Sequence, residues 1–183
     1  MSKKAVYTRI QNNAEWLRVM SKEMLEENGM KLPKPEWLDR EVMLVDGSEL
    51  SVKSRGQGDY FLHYAMNLFE FTGSMKLTEI TTGESLKNYK FHENEIVIGD
   101  RGYVSIKGMK YIMECNADFI LRYRKNSFNI YDENRIKVDI LPRIRNLQEF
   151  ESTSFKGYYK VKNEYRPVRL IAMKKAEKMM RKL

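Results

Sequence analysis

The chain has a single cysteine and no long apolar run. Cys115 is the only cysteine among 183 residues, so a reducing, intracellular setting is expected, with Cys115 as a small buried hydrophobe and not a nucleophile. The sequence begins with Met1 to Lys4 and continues with polar residues instead of an apolar signal core. No stretch approaches the roughly 18 apolar residues of a membrane span. A cytoplasmic protein with no membrane partner is therefore expected.

The sequence also lacks the patterns of a histidine metal pair and of a phosphate-cradling loop. His63 and His92 stand at no metal-ligand spacing, so both are expected to be structural or solvated. The glycines of "SRGQGDY" precede a strand and do not join a strand to a helix. Nucleotide binding is not expected, and Lys53 to Gly58 is interpreted as a flexible basic segment.

Positive charge is present in excess. Lysine and arginine number 33 against 25 acidic residues, which gives a formal net charge of +8. A basic surface concentrates phosphate or anionic lipid, so nucleic acid is the leading partner, although a basic protein with no specific partner is the alternative. The cations are interleaved with Tyr123, Tyr158, Tyr159 and Tyr165, as on many phosphate-binding surfaces. The terminal "KKAEKMMRKL" could equally be a solvated helix face.

The order of apolar segments predicts a mixed α/β fold. Apolar residues at helical spacing predict a helix between Ala5 and Asn28, and a proline-containing linker follows. In "EVMLVDGSEL" an apolar run closes on an aspartate and a glycine, which predicts a strand that ends at Asp46. "YFLHYAMNLFEF" and "MKLTEITT" predict an antiparallel hairpin around Thr72 to Ser74. "EIVIG", "VSIKGMKYIMECN" and "ADFILRYR" predict a strand, a helix and a parallel strand.

The pattern changes after the last of these strands. Between Ser127 and Met173, short apolar segments alternate with turn signals, which predicts an antiparallel β-rich insertion. The expected organisation is an N-terminal helix and linker over 1–40, a core over 41–126, the insertion over 127–173, and a truncated basic C-terminal helix over 174–183.

Two of the predicted strands run into an aspartate. Asp46 and Asp100 each follow an apolar run, and ligands of open α/β sheets bind beyond the carboxyl ends of strands. If the strands are neighbours, the carboxylates converge and repel unless a cation such as Mg²⁺ lies between them. The alternative is that Asp46-Gly47 is a hairpin turn and Asp100-Arg101 an exposed pair.

The segments "VMLVDGSEL", "IVIGDRGY" and "FILRYR", in this order and with a hairpin after the first, resemble the catalytic core of DDE transposases of bacterial insertion sequences. The family in question is the one numbered four, with its Tyr-Arg-Glu-Lys signature, and the resemblance begins near Asn13. It implies a ribonuclease-H-like mixed sheet with a β-rich insertion. It also implies that Asp46 and Asp100 are the catalytic, metal-binding residues, with Mg²⁺ as cofactor and Mn²⁺ as a substitute.

The same resemblance implies a DNA partner. Double-stranded transposon-end DNA is expected near a set of cations on the same side as the aspartates: Lys53, Arg55, Arg101, Arg122 and Arg124. Full-length transposase or a second copy of the chain on DNA is a further possible partner. The implied location is the bacterial cytoplasm, associated with the nucleoid.

The sequence departs from the family pattern at the third acid. The spacing Tyr-x2-Arg-x3-Glu-x6-Lys is absent, since Tyr165 is followed by Val168 and Ala172 where arginine and glutamate are needed. The chain is therefore expected to stop inside the insertion, as a fragment or a decayed copy. DNA cleavage is expected to be slow or absent. The alternative function is a catalytically silent DNA-binding or interaction module that regulates full-length transposase.

Overall fold

The computed structural model describes residues 31–50 and 60–175, with isolated positions 16, 19, 20 and 23 before them. The predicted N-terminal helix, apart from those four positions, and the basic segment Lys53 to Gly58 lie outside the described residues. Residues 176–183, most of the predicted C-terminal helix, lie outside them as well. The described part is a mixed α/β structure with two sheets and few helices.

The first sheet mixes parallel and antiparallel strands. Its strands are β1 (Glu41–Leu50), β2 (Tyr60–Asn67), β3 (Gly73–Glu79), β4 (Glu95–Gly99) and β5 (Asp118–Leu121), in the spatial order β3-β2-β1-β4-β5. β2 is antiparallel to β1 and β3, whereas β4 is parallel to β1 and β5. The predicted hairpin is confirmed, although its turn precedes Gly73, which already belongs to β3. The first strand therefore lies at the centre of the sheet.

One helix crosses between the two parallel strands β4 and β5. Helix α1 (Ile106–Glu114) begins after Ser105, whose hydroxyl accepts a hydrogen bond from the Gly108 amide. The helix buries Met109 and Ile112, and Ile112 packs with Val45, Ala65 and Val97 of the sheet. The predicted strand, helix and parallel strand are confirmed.

The second sheet is wholly antiparallel, as predicted for this part of the chain. It contains β6 (Ile130–Tyr131), β7 (Lys137–Val138), β8 (Ser152–Val161) and β9 (Glu164–Met173), in the order β7-β6-β8-β9. Of the strand expected in "IKVDIL", only Lys137 and Val138 form β7. The short helix α2 (Leu141–Arg145) begins at the last residue of that segment, where Pro142 suits the start of a helix. Tyr159 and Val161 of β8 pack against Met109 of α1.

No helix within residues 31–50 and 60–175 has the length and apolar content that a membrane span requires.

Candidate metal and phosphate site

Asp46 and Asp100 occupy neighbouring positions on two parallel strands. Val45 of β1 is paired with Gly99 of β4, and the next residue on each strand is an aspartate. Side chains alternate between the two faces of a sheet, so both aspartates project from the same face, at the carboxyl end of β4. Both are exposed. The expectation that their strands are neighbours is confirmed.

The strand position of Asp46 differs from the prediction. β1 does not end there but continues to Leu50, because β2 provides hydrogen-bonding partners as far as Tyr60. Asp46 marks only the point where the pairing of β1 with β4 ends. The alternative interpretation of Asp46-Gly47 as a hairpin turn is wrong for the same reason.

Packing, and not a turn, explains the glycine after Asp46. A Cβ atom at Gly47 would overlap the ring of Phe61 and lie 2.9 Å from the hydroxyl oxygen of Tyr103. Both of those residues are buried. The Asp-Gly pair therefore places a carboxylate on one face of β1 where the opposite face has no room for a side chain.

Each aspartate uses one carboxylate oxygen to accept a main-chain hydrogen bond. Asp46 Oδ1 accepts from the Gly47 amide at 2.8 Å, and Asp100 Oδ1 accepts from the Gly102 amide at 2.6 Å. The second bond caps the 3₁₀ turn Arg101–Tyr103. Within the described residues neither carboxylate forms an ion pair. Among these residues, their Oδ2 atoms have no hydrogen-bond partner and could accept a ligand.

Two buried tyrosines fix the main chain at Asp46. The Tyr89 hydroxyl donates to the Asp46 carbonyl oxygen at 2.8 Å, and it lies 2.7 Å from the Tyr103 hydroxyl. Because Tyr89 has a single hydroxyl proton, Tyr103 is the donor in their mutual bond. Burial raises the pKa of both tyrosines, so both stay neutral. The last residue of "DRGY" is thus a packing residue beneath the site.

A third carboxylate, which the sequence did not reveal, lies beside the two aspartates. Glu84 follows Gly83, whose φ of 59° turns the chain after β3. The Oε2 atom of Glu84 occupies the space that a Cβ atom at Gly102 would need. Glu84 is exposed, but partial desolvation raises its pKa, and the charges of Asp100 and Asp46 raise it further. The loop "TTGES" has no periodicity, and the only feature of its sequence that could have pointed to Glu84 as a site residue is the acid beside a glycine.

These carboxylates fit a hard divalent cation only in part. Mg²⁺ binds through one or two protein carboxylates together with waters and phosphate oxygens, which suits Asp46 and Asp100. Desolvation is the main cause of the raised Glu84 pKa, and a cation would relieve the smaller contribution, the repulsion of Glu84 by Asp100 and Asp46. Across the described ranges, however, no three His, Cys, Asp or Glu side chains are arranged as a ready ligand set.

Two of the predicted phosphate-binding arginines lie beside Asp100, at the carboxyl ends of β4 and β5. Arg101 follows Asp100 directly, and the Arg122 amide donates to the Gly99 carbonyl at 3.2 Å, which places Arg122 next to Asp100 in the strand register. Arg124 lies two residues further on, in the turn closed by Ser127. All three are exposed, and no acid pairs with them in the part of the chain that the structure describes. Lys53 and Arg55 lie outside it.

Comparisons with known proteins add no relative. The chain matches no protein-family model, no curated protein and no solved structure.

Proposed function

We propose that this chain has a catalytic core of the DDE transposase type and binds transposon-end DNA and Mg²⁺. The observation that carries the proposal is the placement of Asp46 and Asp100. They follow a paired Val45 and Gly99 on adjacent parallel strands, with their free Oδ2 atoms on one face. In open α/β sheets, ligands bind beyond the carboxyl ends of the strands.

The topology supports a ribonuclease-H-like core. β1 lies between an antiparallel β2 and a parallel β4, so the first aspartate is on the first strand and the second follows the fourth. An antiparallel sheet comes next in the chain, where the resemblance implies the β-rich insertion. Strand order and direction are more demanding criteria than sequence spacing, because many other pairings would separate the aspartates.

The proposed chemistry is phosphodiester cleavage and strand transfer. When bound, Mg²⁺ or Mn²⁺ would activate the attacking oxygen and steady the leaving oxygen of an in-line displacement. Asp46 and Asp100 would hold the metal, and the tyrosine pair would keep the Asp46 main chain in place. Arg101 and Arg122 would bind the phosphodiester beside it through charge-assisted hydrogen bonds.

The chain alone is proposed to cleave slowly. The signature glutamate is missing from the sequence, and Glu84 lies in a loop between β3 and β4 and not on a helix after the second sheet. Two carboxylates fix the geometry of metal ions less firmly than three, and misplacement on the scale of 1 Å costs about 100-fold in rate.

A catalytically silent DNA-binding or interaction module that regulates full-length transposase is the second candidate. The lack of a preformed set of three ligands in the described residues favours it. In this alternative the cations around Asp100 would still bind DNA, and the metal would contribute little.

A nicking assay on supercoiled DNA with Mg²⁺ or Mn²⁺ distinguishes the two candidates. The enzyme proposal expects slow nicking that is lost in both Asp46→Asn and Asp100→Asn. Asp39→Asn, an exposed aspartate just before the start of β1 and away from the carboxyl ends of the strands, should keep it. DNA binding without any nicking favours the silent module. Nicking that survives both substitutions would overturn the proposed site.

A further inference from the structure

The second sheet has one packed face and one open face. Along β8, Phe155, Gly157, Tyr159 and Val161 alternate toward the interior, where Tyr159 and Val161 contact Met109 of α1. The residues between them, including Lys156, Tyr158 and Lys160, therefore project from the opposite face.

Cations occupy that outward face, and no acid stands opposite them. Across the strands, Lys156 lies opposite Arg169 and Lys160 opposite Tyr165, while Tyr131 pairs with both Tyr158 and Lys137. No Asp or Glu holds a paired position on this face. Its four strand cations are exposed and form no ion pair within the residues that the structure describes: Lys137, Lys156, Lys160 and Arg169.

A fifth cation is held in place above this face by aromatic rings. The guanidinium carbon of Arg135 lies 4.4 Å from the ring centroid of Tyr158 and 4.6 Å from that of Tyr165. Tyr131 meets Tyr165 edge to face, with ring centroids 5.1 Å apart. A guanidinium held against aromatic rings still has N–H groups that can donate hydrogen bonds to a phosphate.

Among the described residues, the nearest acids along the chain form no ion pair with this arginine. Asp132 Oδ1 accepts a hydrogen bond from the Ile136 amide within the β6–β7 turn. Glu133 is exposed in the same turn and forms no ion pair among the described residues. The guanidinium also covers Tyr158 and Tyr165, so these rings are less available to stack on bases. The face is therefore suited to phosphates and not to base recognition.

We propose that the outward face of the second sheet, centred on Arg135, Lys156 and Arg169, is a second DNA-contact surface. Its charge complements the phosphate backbone of duplex DNA, which it would bind without sequence preference and without metal. The proposal rests on the proposed function only in taking DNA as the partner. In this proposal the second sheet contributes part of the DNA affinity, and this contribution is separate from the chemistry at Asp46 and Asp100.

The test is equilibrium binding of the whole chain to a fluorescent duplex of random sequence, in EDTA, between about 50 and 200 mM salt. The variant carries Arg135→Ala, Lys156→Ala and Arg169→Ala. Each lost phosphate contact should reduce the magnitude of the log-log salt slope by about 1, so we expect a reduction of about 3 and an affinity at least about tenfold lower.

The matched control removes the same charge elsewhere, through Lys87→Ala, Lys110→Ala and Arg166→Ala. Lys110 and Arg166 are paired with Glu114 and Glu164, and Arg166 lies opposite the buried Tyr159. We expect a much smaller change in slope. Equal losses in the two triple variants would overturn the proposal, since net charge alone would then explain binding.

Three further outcomes decide the remaining points. The double variant Lys156→Ala with Arg169→Ala touches no stacked ring, so its loss of binding at an unchanged unfolding midpoint supports the surface independently of Arg135. Wild-type binding by the triple variant, with weaker binding by Arg122→Ala, would overturn this inference and leave the proposed function intact. Binding to phosphatidylserine vesicles without binding to duplex DNA would overturn it in favour of a membrane.

Discussion

The hydroxyl of Tyr103 donates to the hydroxyl of Tyr89 over 2.7 Å, and Tyr89 in turn donates to the main-chain carbonyl of Asp46. A motif at the end of β4 thereby supports the main chain of β1. Tyr103 is 1% exposed, so this chain of hydrogen bonds is shielded from water. The position of the Asp46 main chain thus depends on two buried side chains.

Removal of the first donor should lower stability. Tyr103→Phe keeps the ring but loses one buried hydrogen bond, and we expect a loss of about 1 kcal/mol in the free energy of unfolding. Urea unfolding measures it, with Tyr60→Phe at an exposed position as the control. A Tyr103→Phe midpoint equal to that of the wild type would contradict the role given to this hydroxyl.

Substitution of Gly47 should be more costly. A methyl group in Gly47→Ala must displace the buried Phe61 ring, and overpacking of this kind costs about 1–3 kcal/mol. The neighbouring Ser48→Ala, at an exposed position on the other face of the strand, should change little. Thermal unfolding of the two variants gives the comparison, and equal midpoints would show that β1 does not pack as described.

The raised pKa of Glu84 makes a prediction about pH. A carboxyl whose pKa is higher in the folded state than in the unfolded state loses stability as the pH rises through the interval between the two values. Glu84→Gln should therefore gain stability relative to the wild type at pH 8 but not at pH 4, because it removes a partly desolvated charge and its repulsion from Asp100 and Asp46. Unfolding midpoints at the two pH values test this. A gain of equal size at both would exclude the charge interaction.

His63 makes the opposite prediction. It is 1% exposed and bonded to the Thr78 hydroxyl at 2.9 Å, and burial lowers its pKa, with Lys76 adding to the effect. Its contribution to stability is present above the usual value of about 6.5 and is lost as the pH falls through the lowered value. Between pH 7.5 and 5 the unfolding midpoint should fall more in the wild type than in His63→Gln. Parallel profiles would mean that His63 is not the titrating group.

Periodicity and turn residues were sufficient to predict most elements of the first sheet. Three β-branched residues in "EIVIG" predicted β4, and the helical spacing of Met109, Ile112 and Met113 predicted the helix after it. The end of β1 was predicted wrongly, because glycine after aspartate is a turn signal in sequence. Only the three-dimensional closeness of Phe61 and Tyr103 shows that it is a packing requirement here.

The candidate site was predictable only where strand order decided it. Asp46 and Asp100 each follow an apolar run. Once their two strands are neighbours, the two aspartates lie side by side. Glu84 and the tyrosine pair reach the site from a loop, a 3₁₀ turn and the segment before β4, and their proximity depends on contacts between residues distant in sequence. No local pattern encodes such contacts.

The most direct test of the central claim is Mn²⁺ binding, followed by electron paramagnetic resonance during titration of the whole chain. We expect Mn²⁺ binding that both Asp46→Asn and Asp100→Asn weaken by about tenfold or more, since loss of a ligand should cost at least as much as the 10–100-fold seen on loss of a ligand's hydrogen-bonding partner. Asp39→Asn should bind as the wild type does. Mn²⁺ affinity that is unchanged in both strand-end variants would contradict a metal site shared by Asp46 and Asp100.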